Sequence, residues 1–157
     1  MLKEKKQEYT LRISQANKSE LVVIIYEILL DYLKECRENI QKNDIDAFHE
    51  SIRKATGCIR ELSSSINYRS NVSGNLLSLN IFCIKELAKA DIHYSEEEIM
   101  NVELIMRKLY EATKKAGEKD DSPAVMNNSQ FVYAGLTYGK ESLIVNLNET
   151  SNRGFTV

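Results

Sequence analysis

The sequence has few of the residues that interrupt helices. It contains one proline, six glycines and no tryptophan in 157 residues, and only Gly57 and Gly74 precede residue 117. Because proline and glycine are the poorest helix formers, their scarcity favours helix over most of the chain. The length suits one domain, and a domain of this size buries roughly 70% of its unfolded surface.

The chain also lacks a strong excess of one charge and a long apolar run. Its formal net charge is −2 and its pI about 5.8, which argues against nucleic acid or an anionic membrane as the main partner. The apolar stretch LVVIIYEILL at residues 21–30 is followed by charged residues and falls short of the roughly 20 residues that span a bilayer. The charged start has no cleavage-like site. We therefore expect a cytoplasmic protein without direct membrane insertion.

Patterns typical of catalysis or metal binding are absent as well. Cys36, Cys58 and Cys83 have no CxxC spacing and lie among apolar residues, which predicts reduced core thiols. The two histidines, His49 and His93, belong to no HExxH motif or metal-ligand cluster, and no Gly-rich phosphate loop is present. We predict no enzymatic activity, no cofactor and no metal.

Four helical segments are predicted, at about residues 18–42, 45–66, 74–90 and 95–117. Asn17 is a suitable N-cap for the first, and Glu20 completes a capping-box pattern. Ser95 and Glu98 repeat that pattern before the fourth, and Gly117 is a natural C′ residue after it. The second segment has apolar residues at alternating steps of 3 and 4, as in a helix packed along its neighbours: Ile45, Phe48, Ile52, Ala55, Ile59, Leu62 and Ile66.

The predicted fold is all-α: an antiparallel up-down four-helix bundle, since the connections between these helices are short. It has a short N-terminal segment and a non-helical or extended C-terminal tail. The bundle domain covers residues 1–117, and residues 118–157 form a linker and tail. Within that tail, residues 131–138 are aromatic and apolar, and we expect them to pack on the bundle and to compete with, or add to, a partner-binding surface.

The first and third predicted helices are more apolar than a peripheral bundle helix requires. The first is apolar over roughly 200° of arc, whereas a stripe a little wider than about 100° is enough. The third has a narrow polar edge at Ser78, Lys85 and Lys89. Either residues 1–16 and 118–157 cover this excess, or it forms a groove for a partner's amphipathic helix. Both hold if a segment of the chain covers the groove until the partner displaces it.

Four blocks in order are similar to the flagellar secretion chaperones, which escort flagellin. The first block is Tyr9, Ile13, Ala16, Glu20, Leu21, Tyr26, Glu27 and Leu33; the second is Ile52, Ala55, Ile59, Glu61 and Leu62. The third is Asn75, Leu76, Leu79, Phe82, Leu87, Ala90 and Asp91, and the fourth is Arg107, Tyr110, Glu111 and Ala112. The chain departs from the family pattern at Lys18, where the family has Pro, at Asn80, where it has Tyr, and at Tyr110, where it often has Trp.

The resemblance implies a cytosolic helical bundle that binds the disordered C-terminal segment of flagellin, prevents its premature polymerisation and delivers it to the flagellar export gate. As residues that line the partner groove we name Ile25, Tyr26, Leu29, Leu77, Ile81, Phe82 and Ile84. Tyr9 and Ile13 are expected to occupy the groove when no partner is bound. The alternative is a structural or regulatory bundle that self-associates, for example as a homodimer, through the same surface.

Overall fold

The computed structural model describes residues 3–67 and 70–126, and these residues form five α-helices and no strand. The helices are α1 (Lys3–Gln15), α2 (Lys18–Gln41), α3 (Ile45–Ser64), α4 (Ser73–His93) and α5 (Glu96–Gly117). The predicted all-α class is therefore confirmed. Helix α1 was not predicted, since the sequence indicated only a short segment there. Residues 118–126 follow α5 without regular structure, and the aromatic segment at residues 131–138 lies outside the described residues.

The cap of α2 confirms its sequence prediction. The ends of α5 lie where the sequence placed them, with Ser95 as the N-cap residue, but the capping contacts predicted there are not formed. The Asn17 side chain accepts from the Glu20 N–H, and the Glu20 carboxylate accepts from the Asn17 N–H, each at 2.8 Å. Ser95 makes no hydrogen bond to the backbone of α5; its hydroxyl donates to the Glu98 carboxylate instead. Gly117 is the last residue of α5 and has no positive φ, so it is not a left-handed C′ residue.

Helices α2 to α5 enclose the main core. Helix α2 packs against α3 and α5, helix α4 packs against the same two helices, and α1 packs, among the five described helices, against α2 alone. The largest fully buried side chains come from all four: Leu29, Leu33, Cys36, Phe48, Ile59, Asn80, Cys83, Leu87, Ile99, Val102 and Met106. The predicted stripe of α3 is confirmed from Phe48 to Leu62. It is wrong at its two ends, because Ile45 is exposed and Ile66 lies beyond the helix.

Two of the three cysteines are completely buried, as predicted for core thiols. Cys36 and Cys83 have no exposed surface, and Cys58 is half-buried. Burial raises the pKa of Cys36 to about 12 and the pKa of Cys83 to about 11. A thiol with so high a pKa stays protonated at neutral pH, so these side chains act as small apolar groups.

Polar side chains link neighbouring helices at both ends of the core. Between α2 and α5, Arg37 pairs with Glu96 at 2.7 Å, and Tyr110 donates to Glu27 at 3.2 Å. Between α3 and α4, His49 lies 2.6 Å from Asp91, and Asn80 donates to Ser63 at 3.0 Å. Between α2 and α3, Asn39 donates to Ser51 at 3.0 Å.

Candidate functional site

Helix α1 covers the part of α2 that faces away from the main core. Tyr9 and Ala16 are buried against Ile24 of α2, and three half-buried residues, Ile13, Leu21 and Ile28, surround them. This small cluster is separate from the main core. The excess apolar surface that the sequence predicted for α2 is thus covered, in part, by the chain's own N-terminal residues.

Polar contacts align α1 along the acidic edge of α2. The Tyr9 hydroxyl donates to Asp31 at 2.6 Å, Lys5 pairs with the same carboxylate at 2.6 Å, and Arg12 pairs with Glu27 at 2.5 Å. Burial and the hydrogen bond to Asp31 raise the pKa of Tyr9 well above its usual value. The first six residues of α1 are exposed, so its attachment rests on one aromatic ring, a few apolar neighbours and ion pairs that water reaches.

An open cleft of about 570 Å³ lies where α1, α2 and the end of α5 meet. Its walls combine charged and apolar side chains: Arg12, Gln15, Ala16, Ser19, Glu20, Val23, Ile24, Glu27, Lys114, Gly117 and Glu118. Three carboxylates (Glu20, Glu27 and Glu118) and two basic groups (Arg12 and Lys114) line it, so the cleft has no strong charge of one sign. It is a boundary of mixed polar and apolar character between α1 and the bundle.

Helix α4 presents several apolar side chains to solvent and buries two polar ones, Asn80 and Glu86, beside its apolar core residues. Ile81 and Phe82 are 45% and 44% exposed, and Leu79 and Ile92 are exposed as well. By contrast, Asn80 is 1% exposed. Glu86 is also buried and bonds to Lys89. This orientation is the reverse of what hydrophobic burial alone would select.

One face of α4 carries a continuous apolar stripe. Its members are spaced at steps of 4, 3, 4 and 4, and they lie within about 80° of arc at 3.6 residues per turn. They are Leu77, Ile81, Ile84, Ala88 and Ile92, which we call the α4 stripe. Leu77 and Ile84 are half-buried, whereas Ile81, Ala88 and Ile92 are exposed. Such a seam matches the apolar face of an amphipathic helix.

The residues predicted to line a groove divide into three groups. Tyr9 and Ile13 belong to α1 and pack against α2. Tyr26 and Leu29 are 2% and 0% exposed in the main core, and the half-buried Ile25 packs against that core. The third group is on α4: Leu77, Ile81, Phe82 and Ile84. No close backbone approach joins α2 and α4 within the described residues, and Ile81 and Phe82 are exposed whereas Tyr26 and Leu29 lie in the main core. The structure therefore does not bring the groups of α2 and α4 together on one exposed face.

Several exposed apolar residues were not predicted. Ile92 is 79% exposed, and Met100 and Leu104 of α5 are 52% and 58% exposed. For α5 a signal was present, because Met100 and Leu104 fall outside the stripe formed by Ile99, Val102 and Met106 yet lie four residues apart. An i, i+4 apolar pair off the core stripe indicates a second, smaller apolar patch.

The described part of the chain offers no site for a metal. No group of three or more His, Cys, Asp or Glu side chains in residues 3–67 and 70–126 is arranged to hold an ion. Among the same residues, no helix combines the length and apolar character needed to cross a membrane.

Comparison with known proteins identifies the family. The model of the family described as flagellar protein FliS matches residues 1–120. The chain belongs to the FliS family. One FliS relative, the flagellar secretion chaperone FliS of Bacillus subtilis (strain 168), is 22% identical over 104 residues, which are 66% of this chain and 78% of that protein. The FliS match contains all five helices, so α1 is part of the family's domain and not an addition to it.

Proposed function

We propose that this protein is a cytoplasmic export chaperone for flagellin. It binds the disordered C-terminal region of flagellin, prevents premature polymerisation and delivers the client to the flagellar type III export apparatus. Membership of the FliS family and the name of the Bacillus relative support a flagellar secretion chaperone. The single observation that carries the binding part of the proposal is the exposed α4 stripe.

The α4 stripe has the dimensions of a helix-binding seam. From Leu77 to Ile92 it extends about 22 Å at 1.5 Å per residue, which matches a client helix of about four turns. Its exposed members, Ile81, Ala88 and Ile92, lose their contact with water when such a helix packs on them. Burial contributes about 25 cal/mol per Å² of apolar surface. Ordering the client removes several kcal/mol of that gain.

Helix α1 serves in this proposal as a displaceable cover for a second client face on α2. It packs against α2 alone, and only Tyr9 and Ser14 of its residues are buried. An element with so few buried contacts opens at a small fraction of the global unfolding free energy. Displacing it uncovers Ile24 and Ile28, while Tyr26 and Leu29 remain in the main core.

The support for this surface is an antiparallel up-down bundle of α2 to α5. Arg37 near the end of α2 meets Glu96 at the start of α5, and Glu27 nearer its start meets Tyr110 nearer the end of α5. In the same way, His49 near the start of α3 meets Asp91 near the end of α4, and Ser63 at the end of α3 meets Asn80 in the first half of α4. These pairs and the short connections between helices are what supports the proposed directions.

Binding to a peptide of the last roughly 40 residues of flagellin, long enough for more than one helix, tests the proposal. Ile81→Asp places a charge on the α4 stripe and should weaken binding about tenfold, because burying an unpaired carboxylate is costly. Leu104→Asp is the matched control, since it makes the same change at an exposed apolar position of α5. Isothermal calorimetry gives both affinities.

Circular dichroism and light scattering make the result decisive. If Ile81→Asp keeps native helicity and binds as tightly as the unaltered protein, the α4 stripe is not the client surface. If the unaltered protein takes up no peptide and forms a dimer that Ile81→Asp dissociates, the surface serves self-association instead. Exposed apolar patches of this kind also occur at homodimer interfaces.

A further inference from the structure

The segment after α5 returns to the junction between α1 and α2. Residues 118–126, which we call the strap, reach that junction through three hydrogen bonds. Asn17 Nδ2 donates to the Asp120 carbonyl at 2.9 Å, the Ser19 hydroxyl donates to the Asp120 carboxylate, and the Val125 N–H donates to the Ala16 carbonyl at 3.0 Å. The contacts join positions more than one hundred residues apart in sequence.

Neighbouring residues of the chain, Gly117 and Ser122, also hold Asp120 in place. Its N–H donates to the Gly117 carbonyl at 3.0 Å, and its carboxylate accepts from the Ser122 N–H at 3.1 Å. Hydrogen bonds from Ser122 and Ser19 lower the pKa of Asp120, so the carboxylate is ionised at neutral pH and remains a strong acceptor. At Gly117 a Cβ would stand 3.4 Å from the Ser19 Cβ, which shows how closely the end of α5 approaches the start of α2.

The junction that the strap holds also sets the position of α1. Only Ala16 and Asn17 separate α1 from α2. Ala16 belongs to the buried cluster beneath α1, and Asn17 caps α2 through Oδ1 while its Nδ2 reaches the strap. Two residues leave little freedom for rearrangement, so fixing their backbone restricts the direction in which α1 leaves α2.

We propose that the strap is a latch that holds α1 closed on α2, so that docking of the strap and docking of α1 are thermodynamically coupled. Coupling of this kind is reciprocal: loosening the strap raises the open fraction of α1, and loosening α1 raises the open fraction of the strap. The regulatory meaning rests on the proposed function, in which closed α1 hides a client face. The coupling itself does not depend on any client.

Hydrogen exchange on the full-length chain, without flagellin, tests the latch. Asp120→Ala removes the acceptor of the Ser19 hydroxyl and should speed exchange of the α1 amides about fivefold, the usual effect of losing a hydrogen bond. Ser19→Ala removes the donor of the same bond and should act in the same direction. Asp121→Ala is the matched control, because it removes an identical charge at the exposed neighbouring position and should leave α1 unchanged.

The reciprocal measurement uses Tyr9→Phe, which removes only the hydroxyl bonded to Asp31. If the coupling is real, this change in α1 speeds exchange of the Val125 amide in the strap. The latch is overturned if Asp120→Ala and Ser19→Ala speed exchange in the strap alone and leave α1 at the rate of Asp121→Ala.

Flagellin-peptide binding by the same variants separates the latch from the proposed function. If Asp120→Ala opens α1 and also tightens binding of the flagellin peptide, both proposals are supported. If α1 opens with no change in affinity, the latch stands, and the idea that α1 covers a client face is wrong. Circular dichroism of each variant confirms that the bundle is intact during the measurement.

Discussion

Asn80 fixes the rotation of α4 about its own axis. It is buried between α4 and α3, where Nδ2 donates to the Ser63 hydroxyl at 3.0 Å and Oδ1 has no hydrogen-bond partner among the described residues. The next two residues, Ile81 and Phe82, are exposed as a consequence. A buried acceptor without a partner costs about 1–3 kcal/mol. The rotation that exposes the α4 stripe therefore has an energetic cost at this residue.

Replacing Asn80 with leucine should raise the free energy of unfolding by about 1 kcal/mol. Leucine has the same number of side-chain heavy atoms and the same branching at Cγ, and it removes the unpaired Oδ1, while the Ser63 hydroxyl keeps its bond to the Ile59 carbonyl. Urea denaturation measures the change, and Asn75→Leu, at an exposed position of the same helix, is the control for helix propensity. A loss of 1 kcal/mol or more would mean that the bond to Ser63 outweighs the unpaired oxygen.

At the scale of the element, the sequence did not predict that α1 is helical, and it did not decide which side of α4 faces the core. Helix α1 opens with KEKKQE at residues 3–8, and so few apolar residues give no amphipathic pattern until Tyr9. It is helical because Tyr9 and its neighbours find a covered place on α2. In α4, apolar residues occupy nearly every side, so helical period alone could not decide which of them face inward.

Helix α1 should be removable from α2 without unfolding the bundle. Tyr9→Ala deletes its main buried ring together with the bond to Asp31. We expect faster exchange of the α1 amides, a nearly unchanged unfolding midpoint, and flagellin-peptide binding about fivefold tighter because the competing cover is weakened. Calorimetry and hydrogen exchange measure these effects.

The control for that variant is Thr10→Ala, one residue away and exposed, whose hydroxyl bonds only within α1. Weaker binding by Tyr9→Ala would assign Tyr9 to the client surface itself. A large fall in the unfolding midpoint would place α1 in the cooperative core and exclude a role as a displaceable cover.

At the scale of the whole molecule, the regular part of the core was predictable and the long-range polar contacts were not. The steps of 3 and 4 in α3 placed Phe48, Ile59 and Leu62 correctly, because a helix packed on both sides keeps one narrow stripe buried. Nothing local in Asn17 or Asp120 predicts that they meet, since the contact depends on where α5 ends relative to the start of α2. Capping by Asn17 was predictable because capping is local.

Two truncations should distinguish the contribution of the strap from that of the tail. A chain ending after Met126 retains the contacts of Asp120 and Val125 with the α1–α2 junction, so its α1 exchange should equal that of the full-length protein. A chain ending after Glu118 loses both contacts, and its α1 amides should exchange about fivefold faster, as for loss of a hydrogen bond. The two chains share all five helices, so their unfolding midpoints should be similar.

Comparing flagellin-peptide affinity between the full-length chain and the chain ending after Met126 then isolates the contribution of residues 127–157. If that affinity is unchanged, the prediction that residues 131–138 take part in the client surface is wrong. If the α1 amides exchange at the same rate in both truncated chains, the strap is not a latch.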